Sequence, residues 1–517
     1  MWRGASVALR HAGASFSGDR YLSETIKRFA SVLAFVVAGC AAARTPPVTA
    51  AAAARPGATL SASQTAFLDT LEQRTFAYFW ETTNPRNGLV PDRWPTPSFS
   101  SVAAVGFALT AYPVGVEHGW ITRAQAQERV LTTLRFFWGA REGTEHSRVT
   151  GYHGFFYHFL DMQRGERFEH VEISTIDTGL LLAGALVCRQ YFDGASAGDS
   201  TIRALADSLY LRADWNWARD GETTLSMGWR PDSAPYQNER GFITTHWKGY
   251  DEGMILYVLA LGSPTHAIDP VAWQGWTSTY QWGDFEGQKF VQFAPMFGHQ
   301  YSHVWIDFRG IADDYMRNRG IDYFENSRRA VLSQQRYAID NPDGWRGYGA
   351  STWGLSASDG PLDSTFTLDG KQRTFHTYWA RGASSYAVRD DGTITPSAVG
   401  GSFAFAPELA ISSLSEMRQQ YGDSLFSRYG FVDAFNPTLR EPVTPLHHGY
   451  IVPGVGWFDR DYLGIDQGPI VAMIENERTG LVWRLMRENP YVVRGLCRAG
   501  FTGGWLTGRC VQHGRGG

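Results

Sequence analysis

The chain has 517 residues and a formal net charge of -4, from 47 Lys and Arg against 51 Asp and Glu. Charged residues make up 19% of it and aromatic residues 14%, with 19 Trp, 23 Tyr and 31 Phe. This balance excludes a disordered chain, which needs few aromatics and a high net charge, and a nucleic-acid binder built on a basic surface; four Cys in a chain of this length exclude a disulfide scaffold.

Lys27 and Arg28 precede an apolar run from Phe29 to Gly39, and Val37-Ala38-Gly39 lead into Cys40. A basic flank, a short apolar run and small residues before a cut make a secretory signal. The run is too short to span a bilayer as a permanent helix. A Cys directly after Val-Ala-Gly resembles the lipobox of bacterial lipoproteins, so residues 1–40 are expected to be a signal with Cys40 lipidated. An ordinary signal with a chance Cys is the alternative. Residues 41–62, rich in Ala, Pro and Thr, read as a flexible tether, which leaves 63–510 as one domain. The expected location is the cell envelope, facing the periplasm or anchored to the outer membrane, with the lipid as the membrane contact. Whether Cys497 and Cys510 pair stays open at the level of sequence.

From Gln64 onward the dominant period is helical. Phe67, Leu68, Leu71, Thr75, Tyr78 and Phe79 recur at spacings of three and four. Thr122-Arg-Ala-Gln125 is a capping box ahead of Val130, Leu131, Leu134, Phe137 and Trp138. Ser174 to Phe192 is too apolar for a surface helix, whereas Ile202 to Trp215 is amphipathic. Further helices are expected over 251–261, 326–339, 406–420, 468–488 and 491–499. Loops rich in Gly, Pro and aromatics are expected over 227–248, 341–402 and 436–462. No evenly spaced alternating strands and no βαβ rhythm occur, which disfavours a sandwich or a Rossmann sheet. The class is therefore all-α. Paired helices with long loops forming a cleft at one end suit an α-helical toroid, although periodicity by itself yields only the helices.

Acids open several of these helices. Glu172-Ile-Ser-Thr-Ile-Asp177 leads into the segment 174–192. Asp177 has an ordinary structural reading, as the acid of a Ser174 capping box, and Glu172 lies ahead of the cap. Asp251 and Glu252 open the next apolar helix. Trp247 and Tyr250 lie just before them, and rings beside a carboxyl raise its pKa, as a general acid at neutral pH requires. In His299-Gln-Tyr-Ser-His303-Val-Trp305-Ile-Asp307-Phe-Arg309 the two His stand at i and i+4, but the Glu of a zinc HExxH helix is missing. Polar groups alternating with rings suit sugar binding better. Asp466 and Gln467 precede a further buried helix, and Glu475 inside it requires a partner such as an Arg. The chain has no P-loop, Rossmann fingerprint or CxxC pair. What remains is carboxylate acid–base chemistry in an aromatic cleft, the equipment of a glycoside hydrolase.

Seven motifs stand in order along the chain: EISTIDTGLLLAG (172–184), EGMILYVLALGSPTH (252–266), HQYSHVWIDFRG (299–310), YFENSRRA (323–330), WGLSASDG (353–360), YGFVDAFNP (429–437) and GIDQGPIVAMIENERTGLVW (464–483). On these the chain resembles the bacterial glycoamylase-like proteins, and among them glycoside hydrolase family 144, the endo-β-1,2-glucanases. The resemblance runs from about Phe67 to Phe501. It implies an (α/α)6 toroid that hydrolyses β-1,2-glucan outside the cytoplasm, with inversion and without metal or cofactor. By motif position it implies Glu252 as general acid, Glu172 as the preferred opposing acid and Asp177 as the second choice. The expected sugar contacts are Trp247, Tyr250, His299, His303, Trp305, Asp307, Arg309, Trp353, Asp466 and Gln467. The expected partner is a neutral glucan, with no nucleic acid and no obligate protein. Segments 231–246 and 361–390 look long for the family, and closing one end of the cleft would favour an exo-acting enzyme. A carbohydrate lyase and a non-catalytic glycan-binding lipoprotein are the readings from other classes.

Overall fold

Polar side chains start the long helices where the sequence places them. The computed structural model describes residues 60–232, 240–443 and 445–510. The expected signal, Cys40 and nearly all of the expected tether lie outside the described residues. Ser61 caps α1 (Ala62–Thr82) through a full capping box with Gln64. Ser101 caps α2 (Val102–Glu117), and Thr122 caps α3 (Arg123–Gly139) through the expected box with Gln125. Each cap satisfies backbone donors that a helix start leaves free. Ser174 caps α4 (Thr175–Tyr191), its hydroxyl accepting from Asp177 N, and Ser196 caps α5 (Ala197–Arg212). The chain continues through α6 (Met254–Gly262), α7 (Val271–Thr277), α8 (Tyr301–Trp305), α9 (Asp314–Arg319), α10 (Tyr323–Asp340), α11 (Pro396–Gly400), α12 (Pro407–Tyr421), α13 (Gly464–Arg478), α14 (Leu481–Arg487) and α15 (Pro490–Arg498). The helix expected over 468–488 is in fact two, because Gly480 takes φ 70° between α13 and α14, a conformation that glycine adopts without penalty.

Five helices pack in a closed circuit. α2 lies on α4, α4 on α6, α6 on α8, α8 on α13, and α13 returns to α2, with α11 also on α13. A second set packs against them: α1 on α2 and α13, α5 on α4, α12 on α11 and α15 on α6. The α2–α4 contact is backbone against backbone. A Cβ on Gly184 would lie 2.1 Å from Gly106 O, and one on Gly106 would lie 2.3 Å from Leu180 O. α2 is absent from the helices expected from periodicity. Every residue from Val102 to Gly115 is buried, so no polar face marks its period.

Short antiparallel pairs correct the strictly all-α expectation. One sheet runs in the order 151–152, 155–157, 173–174, 228–230 and 241–242, and only the last two strands lie in a segment expected to be a loop, 227–248. Strand 100–101 pairs with 159–160, and 93–94 with 462–463. The N-terminal ends of α2, α4 and α13 are thereby each tied to a strand. The long loop after α10 carries a hairpin of Ser364–Leu368 and Lys371–Phe375.

Glu475, buried within α13, takes His118 Nε2 at 2.8 Å and Thr479 Oγ1 at 2.5 Å. The expected Arg partner goes instead to Glu72, which accepts from Arg478 Nη1 at 2.6 Å. Cys497, in the last turn of α15, is disulfide-bonded to Cys510. Among the described residues no helix is long and apolar enough to cross a membrane.

Candidate active site

Glu172 extends a strand, and its neighbours on both sides are cations. Tyr157 pairs with Ile173, and Ile173 with Trp229. One position further along the register, His158 and Arg230 flank Glu172. His158 N donates to Glu172 O at 2.9 Å. His158 Nδ1 lies 3.0 Å from Glu172 Oε1, and Arg230 Nη2 donates to Oε2 at 3.3 Å. The other nitrogen of His158, Nε2, lies 3.5 Å from Asp177 Oδ2. Asp177 also accepts from the Ser174 hydroxyl that caps its helix.

These pairs set the protonation states. Burial opposes charge on His158, but Asp177 and Glu172 outweigh it and hold the imidazole up, at about 9. Burial by itself would raise Glu172, yet His158 and Arg230 hold it down at about 2. Asp177 is raised, with burial outweighing the help from His158 and Ser174. His158 therefore carries a positive charge between two carboxyls. Sequence motifs gave no sign of it, since its place opposite Glu172 depends on strand register.

Glu252 stands at the mouth of α6 and, unlike its neighbour Asp251, is only partly buried. Burial raises its pKa well above 4.5, and the charges of Asp251 and Asp177 raise it further. Its backbone carbonyl accepts from Ser302 Oγ at 3.0 Å, which fixes the mouth of α6 to α8. Asp251 is held instead by Gly253 N at 2.8 Å and Trp276 Nε1 at 3.3 Å, and burial lifts it to about 7. At the mouth of α13, Asp466 takes Ser397 Oγ at 2.8 Å, and burial lifts it to about 7 as well. The charges of Asp466 and Glu252 both act on Tyr301. The mouths of α4, α6 and α13 therefore bring Asp177, Glu252 and Asp466 to one end of the helix circuit.

Most of the expected sugar contacts prove to be core. Trp247, Trp305 and Trp353 are 2%, 0% and 0% exposed. Their indole N–H groups donate to Thr175 Oγ1, Thr110 Oγ1 and Ser413 Oγ at 3.0, 2.9 and 2.9 Å. Each ring has a satisfied donor and no free face for a sugar. Tyr250 is buried and stacks parallel to Tyr323. His299 and His303 are buried and face Phe293 O and Ser327 Oγ at 3.1 Å each. Burial holds His299 at about 3 and His303 well below its usual value, so both are neutral. Asp307 is locked to Arg309 and Arg487. The Arg309 guanidinium lies over the Trp483 ring at 4.2 Å. Gln467 donates to Phe431 O at 3.0 Å. The alternation of rings and polar groups at 299–307 thus builds a buried hydrogen-bonded core, with Arg309 exposed at its edge, a pattern that sequence cannot separate from a sugar platform.

The Glycoamylase family model, described as "Putative glucoamylase", matches residues 244–490. A curated relative from Parabacteroides distasonis, an exo beta-1,2-glucooligosaccharide sophorohydrolase (non-reducing end), is 28% identical over 462 residues, covering 83% of this chain and 57% of the relative. The chain thus spans little more than half of that relative's length. Among solved structures, a "putative glucoamylase" from Bacteroides uniformis is 30% identical with a TM-score of 0.71, over 86% of this chain and 100% of that one. An endo-beta-1,2-glucanase from Chitinophaga pinensis, in complex with sophorotriose and glucose, is 27% identical with a TM-score of 0.71, over 86% of this chain and 100% of that one.

Proposed function

This chain belongs to the glycoamylase-like family, and from that premise we propose that it is a glycoside hydrolase that cleaves β-1,2-glucan by carboxylate acid–base catalysis. The relatives that act on β-1,2-glucans support the substrate. The observation that carries the chemistry is the place of Glu252, a partly exposed carboxyl at the mouth of α6 whose pKa burial and the neighbouring Asp251 and Asp177 raise well above 4.5. Such a group can deliver a proton to a glycosidic oxygen at neutral pH.

On the opposing side we assign the base to Asp177 rather than to Glu172. Both oxygens of Glu172 are engaged by cations and its pKa sits at about 2, which makes it a poor proton acceptor. Asp177 keeps a raised pKa and acts on Glu252 through its charge. In this reading Glu172 keeps His158 charged, and His158 holds Asp177 in its ionised form until a proton arrives from water. The reaction inverts the anomeric carbon.

We read the helix circuit, taken with α11 on α13, as an (α/α)6 toroid with this site at one end. The motif at Cys40 supports export as a lipoprotein of the cell envelope, and the disulfide between Cys497 and Cys510 suits an oxidising compartment.

A second reading, exo action, is favoured by segment 361–390. It carries the hairpin described above, and Tyr378 beyond it lies within range of the charges of Asp466 and Asp433. Incubation with linear β-1,2-glucan followed by product sizing tests both readings. Release of one short oligosaccharide from the start identifies exo action, and a ladder of lengths identifies endo action. Absence of cleavage contradicts the proposal, and unsaturated products would make the protein a lyase.

A further inference from the structure

Asp359, Asp433 and Asp459 come from three separate loops, and each uses one carboxylate oxygen. Asp359 Oδ2 pairs with Arg93 Nη1 at 2.5 Å. Asp433 Oδ2 accepts from Asp359 N at 2.7 Å. Asp459 Oδ1 accepts from the backbone N–H groups of Arg460 at 2.7 Å and Asp461 at 3.3 Å. The other oxygen of each residue, namely Asp359 Oδ1, Asp433 Oδ1 and Asp459 Oδ2, is buried with no hydrogen-bond partner. The three residues are 0%, 2% and 1% exposed, and ligand oxygens from all three lie within 4.8 Å of one another. A buried carboxylate oxygen left without a donor is costly, and three such carboxylates clustered this closely call for a shared positive partner.

Protein cations do not meet that need. Arg93 already faces Asp359, Asp92, Asp459 and Asp461. His448 Nε2 stands 3.8 Å from Asp359 Oδ1, beyond hydrogen-bond reach. Arg381 is spent on Asp391. Asp461 and Asp466 add further negative charge to the same neighbourhood.

We propose that Asp359, Asp433 and Asp459 bind a divalent cation of the calcium class. The donors are all carboxylate oxygens, as a hard cation prefers. Calcium–oxygen distances of about 2.3–2.6 Å put ligand oxygens at most about 5 Å apart, which fits the observed convergence. The cation does no chemistry. It pins the loops around 359, 433 and 459 to one another, and Asp433 in turn faces Asp466 at the mouth of α13. The proposal does not depend on the reading of Glu252 and Asp177.

The test uses the full chain, stripped with EGTA and returned to calcium of known concentration. Bound metal is measured by elemental analysis and calorimetry, and stability by thermal melting. The expected result is roughly one calcium per chain, with a melting temperature that rises with calcium concentration by about 5 °C at saturation. Asp433→Asn and Asp459→Asn should each weaken binding by at least about tenfold and remove the rise. Glu72→Gln, in the separate buried group of Glu72, His118 and Glu475, should keep it. The same oxygens could instead be satisfied by protons shared between Asp359 and Asp459 and between Asp433 and Asp466. A wild-type chain that binds no calcium and melts at the same temperature in calcium and in EGTA overturns the proposal, and that outcome requires no variant to fold. An equal response to magnesium overturns the assignment to calcium.

Discussion

His158 Nδ1 stands 3.0 Å from Glu172 Oε1 because two short strands, Phe155–Tyr157 and Ile173–Ser174, pair in antiparallel register and carry these residues to the next matched position. His158 is raised from 6.5 to about 9, and Glu172 is lowered from 4.5 to about 2. The stability that His158 contributes is fully present below pH 6.5 and is lost as pH rises through about 9. That from Glu172 is fully present above pH 4.5 and is lost as pH falls through about 2. The pair therefore stabilises most between about pH 4.5 and 6.5. Subtracting the melting profile of His158→Gln from that of the wild type should leave a plateau there and a decline toward alkaline pH. A difference that stays flat to about pH 10 would sink this account of the pair.

Asp177 and Glu172 should separate in kinetics. Asp177→Asn should lower kcat by about 10²–10⁴-fold, the range of a general base. Glu172→Gln should lose less and shift the pH profile, because it acts through His158. Equal losses with unshifted profiles would return the base to Glu172.

The contact between α2 and α4 should resist any added side chain. Gly184→Ala places a methyl group 2.1 Å from a backbone oxygen of Gly106, which a flexible side chain cannot relieve. Destabilisation of about 1–3 kcal/mol is expected, as for overpacking in a core. Urea unfolding measures it, and an unchanged midpoint would mean that the two helices can part.

Trp305 and Trp353 should matter for stability and not for sugar affinity. Trp305→Phe and Trp353→Phe each remove a buried N–H bond, to Thr110 and Ser413, at a cost of about 1 kcal/mol before any packing loss. KM for glucan should stay within about twofold in both variants, since a uniform binding contact is what a KM change reports. A rise in KM without loss of stability would restore the sugar-platform reading.

How much of this was legible in the sequence depended on the kind of signal. Helices with a polar face, such as α1, α3 and α10, follow from periodicity, and the box of Thr122 and Gln125 marks the start of α3, whereas the caps Ser61 and Asp322 emerge only in the structure. α2 has no polar face to give it away, and Gly480 divides a helical pattern that reads as continuous. At the site, acids ahead of apolar helices pointed to Asp177, Glu252 and Asp466, because a helix mouth is a local feature. His158 and Arg230 were invisible, since they reach Glu172 through strand pairing across 14 and 58 positions. Exposure was the other hidden variable: Trp247 and His299 have the residue types of a binding cleft and the burial of a core.

The most direct test of the central claim is Glu252→Gln assayed on linear β-1,2-glucan. The amide keeps the size of the side chain and removes its proton. Turnover should fall by at least about 10³-fold while glucan still binds with near wild-type affinity. In the wild type, activity should decline as pH rises through the raised pKa of Glu252. A variant that hydrolyses the glucan at a rate close to wild type would contradict the assignment of the acid and, with it, the mechanism.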